Sequence, residues 1–533
     1  EGAKGSRLEP GHPVERELRK GETHVYEVLV PEGRVVNGVV DQRGVDVVVR
    51  VLDPTGATIA TVDGPNGATG PEPWSLAGKA GAWHLEVVAR PETTRPGRYE
   101  AHIDEIITTD ERDTRSAALR YRSPRLRALW KAWRADGAAA IERFALEMKD
   151  HAPIVEPLAD DPGGDVLLTF ARRSGPEVRY VALVGGPALG DEAPLLRFEE
   201  TDLLYLTLRI PKDARFTYMF RAGDPPNTGA TPKQREALFA GVQPDAWNPH
   251  QFLDSSFVEL PDAPPHPATR HVAGVPEGRV VTKTLHSEIL GEDRRVAVYL
   301  PAAFDPAGGP YPYLVVFDGQ VYGATSETVV PTPTILDNLI AQGKVPPMLA
   351  VLVDSQATRE RDLTMSAPFG DFLARELVPW VRRAYRATED PAQVTLVGSS
   401  FGGLCAAYCA FHHPEVFGNA LSQSGSFWFS PGAQAEDSPY RVEPGAMIRE
   451  IVASPRQPVR FWMEVGRFEG GGGVPGSSQV AQSRHLRDVL LAKGYDVAYR
   501  EFSGGHDYAC WRASLADGLT ALAGSGAARA ARR

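Results

Sequence analysis

The fold of the longest part of this 533-residue chain is decided by the stretch Val394-Thr395-Leu396-Val397-Gly398-Ser399-Ser400-Phe401-Gly402-Gly403-Leu404. Its first four residues predict a buried strand, and the run that starts at Gly403 predicts a helix. The turn between them matches G-x-S-x-G, a pattern that holds a serine on a cramped strand-to-helix turn. The stretch therefore predicts a nucleophile elbow that lifts the hydroxyl of Ser400 above a sheet edge. An ordinary turn between strand and helix is the alternative.

Residues 265–525 repeat this rhythm on both sides of the elbow. Apolar runs at residues 313–317, 349–353 and 461–465 are separated by helical patterns. Continuous apolar strands that alternate with helices are typical of a parallel sheet covered on both faces. We therefore expect an α/β-hydrolase domain with a mostly parallel sheet.

The first half of the chain has a different pattern. Residues 1–108 contain short alternating runs separated by turns rich in Gly, Pro and Asp, which predicts a first, jelly-roll-like β-sandwich. Residues 109–150 have helical spacing, as at Leu126, Leu129, Trp130 and Trp133, and predict a helical connector. Residues 151–264 return to strands and predict a second β-sandwich. The expected chain is multidomain, with two β-sandwiches before the α/β-hydrolase domain and a disordered tail at residues 526–533.

Charge and composition exclude several classes of function. Lys and Arg number 57 against 68 Asp and Glu, so the formal net charge is −11, which argues against a nucleic-acid partner. The sequence lacks a run of about 20 apolar residues, so we expect no membrane-spanning helix. Its three cysteines, Cys405, Cys409 and Cys510, exclude a disulfide framework and favour small buried side chains.

The chain begins at Glu1 rather than at Met. We interpret this as a processed chain from which a signal peptide has been removed. The expectation is a periplasmic or secreted protein, with the cytoplasm as the alternative.

A serine hydroxyl is a weak nucleophile and needs a general base that is oriented by a carboxylate. In this fold class the chain order is Ser, then Asp or Glu, then His. His506 stands in a Gly-flanked loop just after the last apolar strand, so it is the predicted base. His485 is the rival, but it lies in a helical pattern.

The predicted acid is Glu469, because it follows the strand at residues 461–465 on a loop that can approach His506. Glu464 is the second choice, since it lies inside that strand. Asp507 would have to fold back toward its neighbour and is the third.

An ester hydrolase also needs backbone donors for the oxyanion. The N–H of Phe401, next to the nucleophile, is one predicted donor. The N–H of Gln320 or Gly319, on the loop after the strand at residues 313–317, is the other. A simple turn at Asp318-Gly319 is the alternative interpretation.

Several segments together resemble the enterochelin (ferric enterobactin) esterase family. They are Asp318-Gly319-Gln320, the elbow, Ser422-Gln423-Ser424-Gly425-Ser426-Phe427-Trp428, Gly504-Gly505-His506-Asp507 with Trp511-Arg512, and Pro244-Asp245-Ala246-Trp247-Asn248-Pro249 in the second sandwich. The resemblance covers roughly residues 126–523 and departs from the family pattern at Ser399, where Gln is common. The first sandwich is an extra domain that resembles the pre-peptidase C-terminal type.

The resemblance implies a serine esterase that cleaves the ester bonds of a catecholate trilactone siderophore, with or without iron, and that needs no cofactor or metal of its own. Such a ligand is anionic and aromatic, so its pocket needs cations and stacking faces. Arg359 and Arg361 are the candidate cations, with ion pairing or surface exposure as the alternative. The candidate rings are Trp428, Tyr322 and Trp511, with core packing as the alternative.

Two other functions stay open at this point. One is a feruloyl or acetyl esterase that acts on carbohydrate, with the first sandwich as an adhesion or sugar-binding module. The other is a non-catalytic protein that only holds a ligand in the hydrolase cleft. The oligomeric state is left unspecified by the sequence.

Overall fold

The computed structural model describes residues 6–524, except 159–160, 162, 176, 189–191, 226–240, 324–328, 432–444 and 471–477. The chain divides into two compact units, residues 1–131 and 132–533. The predicted disordered tail at residues 526–533 lies outside the described residues.

The first unit begins with a series of strands. They are β1 Ser6–Arg7, β2 Val14–Leu18, β3 Thr23–Val30, β4 Arg34–Arg43, β5 Val47–Leu52, β6 Thr58–Val62, β7 Thr69–Ala77, β8 Gly81–Ala89 and β9 Gly97–Thr108. The described strands form a five-stranded sheet in the order β1-β3-β8-β5-β6 and a four-stranded sheet in the order β2-β9-β4-β7. One hydrophobic core takes side chains from both sheets, including Val28, Leu85, Val40 and Leu76.

The period-two alternation of these strands is the reason for that core. In β8, Trp83, Leu85 and Val87 are buried, while the residues between them are half-buried. Gly38 of β4 faces the ring of Trp74, and a Cβ at this position would collide with that ring. The glycine therefore makes room for Trp74, one of the two tryptophans of this core.

Helices connect the first strands to the next group. They are α1 Thr109–Arg120, α2 Pro124–Asp136 and α3 Ala138–Met148. The boundary between the two units falls inside α2. In α3 the buried residues Ile141, Phe144 and Met148 recur at helical spacing, so one face of this helix is apolar.

A second group of strands follows in the same unit as α3. They are β10 Ile154–Pro157, β11 Asp165–Arg173, β12 Tyr180–Gly185, β13 Ala193–Pro194, β14 Leu196–Arg197, β15 Leu203–Pro211, β16 Arg215–Gly223, β17 Val242–Gln243, β18 Gln251–Phe252 and β19 Ser255–Glu259. The described strands form two sheets, one containing β11 and β15 and the other containing β12, β16 and β19. Phe170 and Leu204 of the first sheet share a core with Phe216 and Val258 of the second.

The remaining strands belong to one sheet. They are β20 Arg279–Ser287, β21 Glu292–Leu300, β22 Tyr313–Val316, β23 Leu349–Val353, β24 Val394–Ser399, β25 Asn419–Gln423, β26 Arg460–Gly466 and β27 Asp496–Phe502. The helices around them are α4 Gly319–Tyr322, α5 Thr332–Ala341, α6 Arg359–Leu363, α7 Ala367–Phe372, α8 Val378–Tyr385, α9 Phe401–His412, α10 Ala446–Ala453, α11 Gln479–Ala492 and α12 Tyr508–Ala523. A π-helical segment, Leu373–Leu377, joins α7 to α8.

This eight-stranded sheet has the order β20-β21-β23-β22-β24-β25-β26-β27. Neighbouring strands from β23 to β27 are parallel, whereas β20 and β21 are antiparallel. Every residue of β22 is buried, and Tyr313 and Val315 join one core while Leu314 and Val316 join another. The sheet is thus covered on both faces, as the continuous apolar strands predict.

The parallel register brings the carboxyl ends of four strands to one edge of the sheet. Ser399 pairs with Gln423, which pairs with Glu464, and Gly466 pairs with Phe502. The loops that follow β24, β25, β26 and β27 therefore meet there, at the edge where open α/β sheets bind their ligands.

Two predictions from composition can be compared with this fold. Among the described residues, none of the helices has the length and apolar character required to cross a membrane. Cys405, Cys409 and Cys510 are buried free thiols, which confirms their assignment as small buried side chains.

Candidate active site

Ser400 lies on a strained turn between β24 and α9. Its backbone has φ 57° and ψ −124°, a conformation that L-residues rarely adopt, and α9 begins at the next residue. The flanking glycines are required by close approach. A Cβ at Gly398 would lie 2.5 Å from the carbonyl carbon of Gly402, and one at Gly403 would lie 2.6 Å from Ser422 Oγ. The elbow predicted from the sequence is present.

His506 and Glu469 form a close pair. His506 Nδ1 lies 2.6 Å from Glu469 Oε2, so the ring donates to the carboxylate through this nitrogen and leaves Nε2 free to accept a proton. The Glu469 side chain is 2% exposed and the His506 side chain is 39% exposed. A buried carboxylate thus orients a ring that remains accessible from solvent.

The hydrogen-bond ladder between β26 and β27 explains why the loop that carries Glu469 meets the loop that carries His506. It continues past the strand ends, because Arg467 N donates to Phe502 O at 2.8 Å and Phe468 N donates to Gly504 O at 3.0 Å. A Cβ at Gly466 would collide with the carbonyl oxygen of Gly504. The glycine allows the two loops to pack together and places Glu469 beside His506.

A second set of hydrogen bonds fixes the other oxygen of Glu469. Oε1 accepts from Gly466 N at 2.7 Å and from Ser424 Oγ at 2.7 Å. Ser424 Oγ in turn accepts from Trp511 Nε1 at 2.9 Å. The Trp511 ring stands edge-on to the His506 ring, with 4.8 Å between centroids and an interplanar angle of 87°. Trp511 therefore supports both members of the pair.

The rival residues from the sequence are placed elsewhere. Glu464 is buried beside Gln423, whose Nε2 donates to its Oε1 at 2.7 Å, and burial raises the pKa of its carboxyl. His485 is an exposed residue of α11.

Asp507 has a structural role that differs from the role of His506. Its Oδ1 accepts from Cys510 N at 3.0 Å and caps α12, while its Oδ2 accepts from Thr217 N of β16 at 3.1 Å. Burial raises the pKa of this carboxyl. Asp507 thus ties the loop that carries His506 to the strands of the preceding group.

We expect Asp507→Ser to lower kcat about 10-fold, because serine can still cap α12 but is too short to hold Thr217, and small shifts of a reacting group are costly. Steady-state kinetics on any turned-over ester measure this. Asp390→Ser is the matched control. Asp390 caps the turn before β24 at the opposite end of the sheet and also accepts two hydrogen bonds. An equal fall of kcat in both variants would contradict a special role for Asp507.

The predicted oxyanion donors face the same edge. Gly319 and Gln320 open α4, directly after Asp318 in a left-handed conformation with φ 53°. A Cβ at Gly319 would lie 2.7 Å from the carbonyl carbon of Leu352, so this position requires glycine. Within the described part of the chain, the N–H groups of Phe401, Gly319 and Gln320 find no acceptor. They are the unsatisfied donors that helix N-termini provide.

Arg359 is the predicted cation that the structure brings to the site. It forms two hydrogen bonds with the buried Asp318, from Nε at 2.8 Å and from Nη2 at 2.9 Å. Its guanidinium carbon lies 5.8 Å from the centre of the Phe401 ring, and its side chain is 31% exposed. The bidentate pair uses two of the five N–H donors and leaves the others for a ligand.

Three of the predicted binding residues need correction. Arg361 binds Glu292 at 2.5 Å and Asp362 at 2.8 Å and is absent from the cavity lining. Tyr322 is wholly buried and donates to Gln423 Oε1 at 2.9 Å, so it offers no stacking face. Trp511 borders the cavity but is 3% exposed, because its ring packs under His506. Trp428 is 37% exposed, with its ring centre 6.0 Å from that of Phe401; it is absent from the cavity lining, and its role stays a prediction.

Ser400 and His506 line one cavity of about 450 Å³. The second group of strands and the loops of the eight-stranded sheet both contribute residues to this cavity. The other lining residues are Thr217, Phe252, Leu253, Ser255, Arg359, Asp507, Tyr508 and Trp511. The hydrogen-bond partner of Ser400 Oγ in this structure is Ser426 Oγ at 3.4 Å, while His506, which lines the same cavity, is paired with Glu469. A serine, a histidine and an orienting carboxylate at one cavity are the groups needed for attack on a carbonyl carbon.

Several residues of the site were not assigned a role from the sequence. Tyr508, Phe252 and Leu253 line the cavity, and Ser424 positions Glu469. The motif at residues 422–428 did mark Ser424, although its partner Trp511 is far away in the chain. Phe252 and Leu253 carry no motif, so only their place in the folded cavity reveals them.

Comparisons with known proteins agree with this geometry. The esterase family model matches residues 287–522, and the model of the enterochelin esterase N-terminal domain matches residues 168–269. The two matches together contain Ser400, Glu469, His506 and the cavity-lining residues of β16 to β19.

Individual relatives match over both regions. The chain is 31% identical over 385 residues to the iron(III) enterobactin esterase of Dickeya dadantii, covering 67% of this chain and 85% of the relative. It is 29% identical to the iron(III) enterobactin esterase of Escherichia coli K12, over 54% of this chain and 68% of the relative. A crystal structure of the Shigella flexneri enterobactin esterase in the presence of enterobactin superimposes with a TM-score of 0.54 at 25% identity, covering 70% of this chain and 96% of that one. The chain therefore belongs to the enterochelin, or iron(III) enterobactin, esterase family.

Proposed function

We propose that this protein is a serine esterase that hydrolyses the ester bonds of a catecholate trilactone siderophore of the enterobactin type, or of its ferric complex. The observation that carries the proposal is the pairing of His506 with Glu469 at 2.6 Å in a cavity that Ser400 also lines. Membership of the enterobactin esterase family supports the substrate class.

The first half of the reaction forms an acyl-enzyme. Ser400 Oγ attacks the ester carbonyl carbon while His506 Nε2 takes the hydroxyl proton. Glu469 holds the ring in the required tautomer and stabilises the imidazolium. The N–H groups of Phe401 and of Gly319 or Gln320 stabilise the tetrahedral oxyanion, because they are fixed before the charge develops.

Collapse of this intermediate breaks the ester C–O bond, and His506 returns the proton to the leaving serine hydroxyl of the substrate. In a cyclic trilactone that hydroxyl stays part of the same molecule, so the first acyl-enzyme carries the whole opened ring. Water, deprotonated by His506, then attacks the acyl carbon and releases a linear trimer. Iron is part of the substrate when it is present, and no step here requires it.

The proposed architecture assigns this chemistry to one part of the chain. Residues 1–108 and 151–264 are proposed as two β-sandwiches, residues 109–150 as a helical connector and residues 265–525 as the α/β-hydrolase domain. The shared cores of the paired sheets support both sandwiches. The likeness of the first sandwich to pre-peptidase C-terminal domains, and export to the periplasm or medium, remain predictions. Fractionation of source cells tests the second of these.

We expect the double variant Asp318→Asn/Arg359→Gln to raise KM for a ferric trilactone, whose catecholate oxygens carry negative charge, about 10- to 100-fold, the size expected for hydrogen bonds to a charged group. Changing both partners avoids leaving a buried carboxylate unpaired. A neutral ester, p-nitrophenyl acetate, reports any damage to the nearby Gly319 loop. Arg361→Gln is the matched control, because that arginine is ion-paired outside the cavity. Equal KM changes for the trilactone and the neutral ester would contradict an electrostatic role.

A substrate panel tests the proposed function against its alternatives. Purified protein is incubated with iron-free and ferric trilactone, with a feruloylated sugar and with acetylated xylan, and kcat/KM is measured for each. A preference for the trilactones supports the proposal. A preference for the carbohydrate esters favours a carbohydrate esterase, and failure of Ser400 to react with an organophosphonate probe favours a non-catalytic binding protein.

A further inference from the structure

Leu253 occupies a turn position that ordinarily belongs to glycine. Strands β18 and β19 pair as a hairpin in which Phe252 faces Ser255, so Leu253 and Asp254 form a two-residue loop. Leu253 has φ 53°, and Asp254 is not among the residues with positive φ. A two-residue hairpin with positive φ only at its first central residue is a type II′ turn, which favours glycine there. A leucine in that conformation is strained.

Burial does not offset this strain. The Leu253 side chain is 51% exposed, so it gains little from the hydrophobic core. The local conformation therefore favours glycine, and packing gives little reason for a leucine. A residue that breaks a local rule without a structural gain is where a functional constraint is to be sought.

The hairpin presents this side chain to the cavity. Leu253 lines the same cavity as Ser400, His506 and Arg359. The hairpin itself is held in place, since Ser256 Oγ accepts from Asp245 N at 2.7 Å and Phe257 N donates to His250 O at 2.9 Å. Arg512 of α12 also lies over the Phe252 ring, with its guanidinium carbon 5.5 Å from the ring centre. Leu253 is thus an apolar side chain on a fixed element that borders the same cavity as Ser400.

We propose that Leu253 is a specificity-determining residue that packs against the aromatic acyl arm of the ester and favours aryl over small acyl substrates. This inference rests on the proposed function, because it concerns the same cavity and the same reaction. The exposed isobutyl group offers an apolar contact from the second group of strands, while Arg359, the first residue of α6, offers charge. An aromatic ring with acidic hydroxyls needs both kinds of contact.

Two variants separate the side chain from the strain of the turn. Leu253→Gly removes the side chain and relieves the strain, whereas Leu253→Ala removes most of the side chain and keeps the strained conformation. For both we expect the ratio of kcat/KM for p-nitrophenyl benzoate to that for p-nitrophenyl acetate to fall about 10-fold, the size expected for loss of an apolar contact in a binding pocket. The thermal midpoint of Leu253→Gly should be at least that of the wild type.

The matched control is Leu196→Ala, which truncates a leucine that is 58% exposed in β14 and absent from the cavity lining. It should leave the ratio of the two kcat/KM values unchanged.

A wild-type ratio in both Leu253 variants would overturn the proposal. A fall in Leu253→Gly alone would also overturn it, because that result would assign the effect to the backbone of the hairpin. If the wild type cleaves the two p-nitrophenyl esters but not a trilactone, the proposed siderophore substrate is rejected. The ratio measured with these esters still tests the role of Leu253. If the wild type turns over neither p-nitrophenyl ester, the Kd of an iron-free trilactone is compared between Ser400→Ala and the double variant Ser400→Ala/Leu253→Gly. An equal Kd for these two variants would overturn the proposal.

Discussion

Ser400→Ala is expected to lower kcat by about 10⁴-fold or more while the protein stays folded. The variant removes the only atom that can form the acyl-enzyme in the proposed mechanism, and the remaining donors and base can act only on water. Alanine can occupy the same turn, so the thermal midpoint should stay within a few degrees of the wild type. The measurement is release of p-nitrophenol or of linear trimer by the purified variant, together with a thermal melt.

Ser400→Gly separates the strain of the elbow from its chemistry. Because the backbone of Ser400 has φ 57° and ψ −124°, glycine relieves strain there and is expected to raise stability by about 1 kcal/mol. This variant should be as inactive as Ser400→Ala and melt at a higher temperature. Turnover near the wild-type rate in either variant would reject Ser400 as the nucleophile.

Glu469→Gln is expected to lower kcat by about 10⁴-fold with little change in KM. The amide oxygen can replace Glu469 Oε1 and accept from Gly466 N and Ser424 Oγ, which turns the amide NH₂ toward His506 Nδ1. The ring must then accept at Nδ1 and carry its proton on Nε2, so it cannot take the proton of Ser400. Steady-state kinetics of the purified variant measure the loss.

Glu464→Gln is the control for this result. Glu464 lies on the preceding strand, and its Oε1 binds Gln423 and Ser514 in the interior. An amide can keep these contacts, so kcat should remain within a few-fold of the wild type. A larger loss in Glu464→Gln than in Glu469→Gln would transfer the role of the acid to Glu464.

The elbow and the loop positions were predictable because they depend on local patterns. Four apolar residues, a glycine-flanked serine and a helical run leave few alternatives to a strand-turn-helix unit, and Ser400 is found there. Glu469 and His506 were predictable because each follows the end of a strand, and neighbouring parallel strands end at one edge of a sheet. Chain order and strand ends thus predicted a pair whose members are 37 residues apart.

The lining of the cavity was less predictable because it depends on contacts between distant segments. Tyr322 and Trp511 look like stacking faces in the sequence, but one is buried against Gln423 and the other under His506. Arg361 forms an ion pair with Glu292, which is 69 residues away in the chain. Arg359, two positions before Arg361, lines the cavity instead. The burial and pairing of a side chain are set by packing, and no local pattern in this chain carried that information.

The contribution of the second group of strands to the cavity was also not predictable from local sequence patterns. Thr217 and Leu253 reach the site only because β16 and the hairpin of β18 and β19 pack beside the loop of His506, and the hydrogen bond from Thr217 N to Asp507 spans 290 residues. Nothing in the hairpin sequence indicates a binding residue. The unfavourable φ of Leu253 becomes visible only when the backbone is known.

The mass of the product formed from an iron-free trilactone tests the central claim most directly. Wild-type protein and Ser400→Ala are incubated with the trilactone under identical conditions, and the products are separated and weighed by mass spectrometry. Hydrolysis through Ser400 predicts a linear trimer heavier than the ring by one water in the wild-type sample, and unchanged ring with Ser400→Ala. An intact ring in both samples, or a linear trimer in both, would contradict the account.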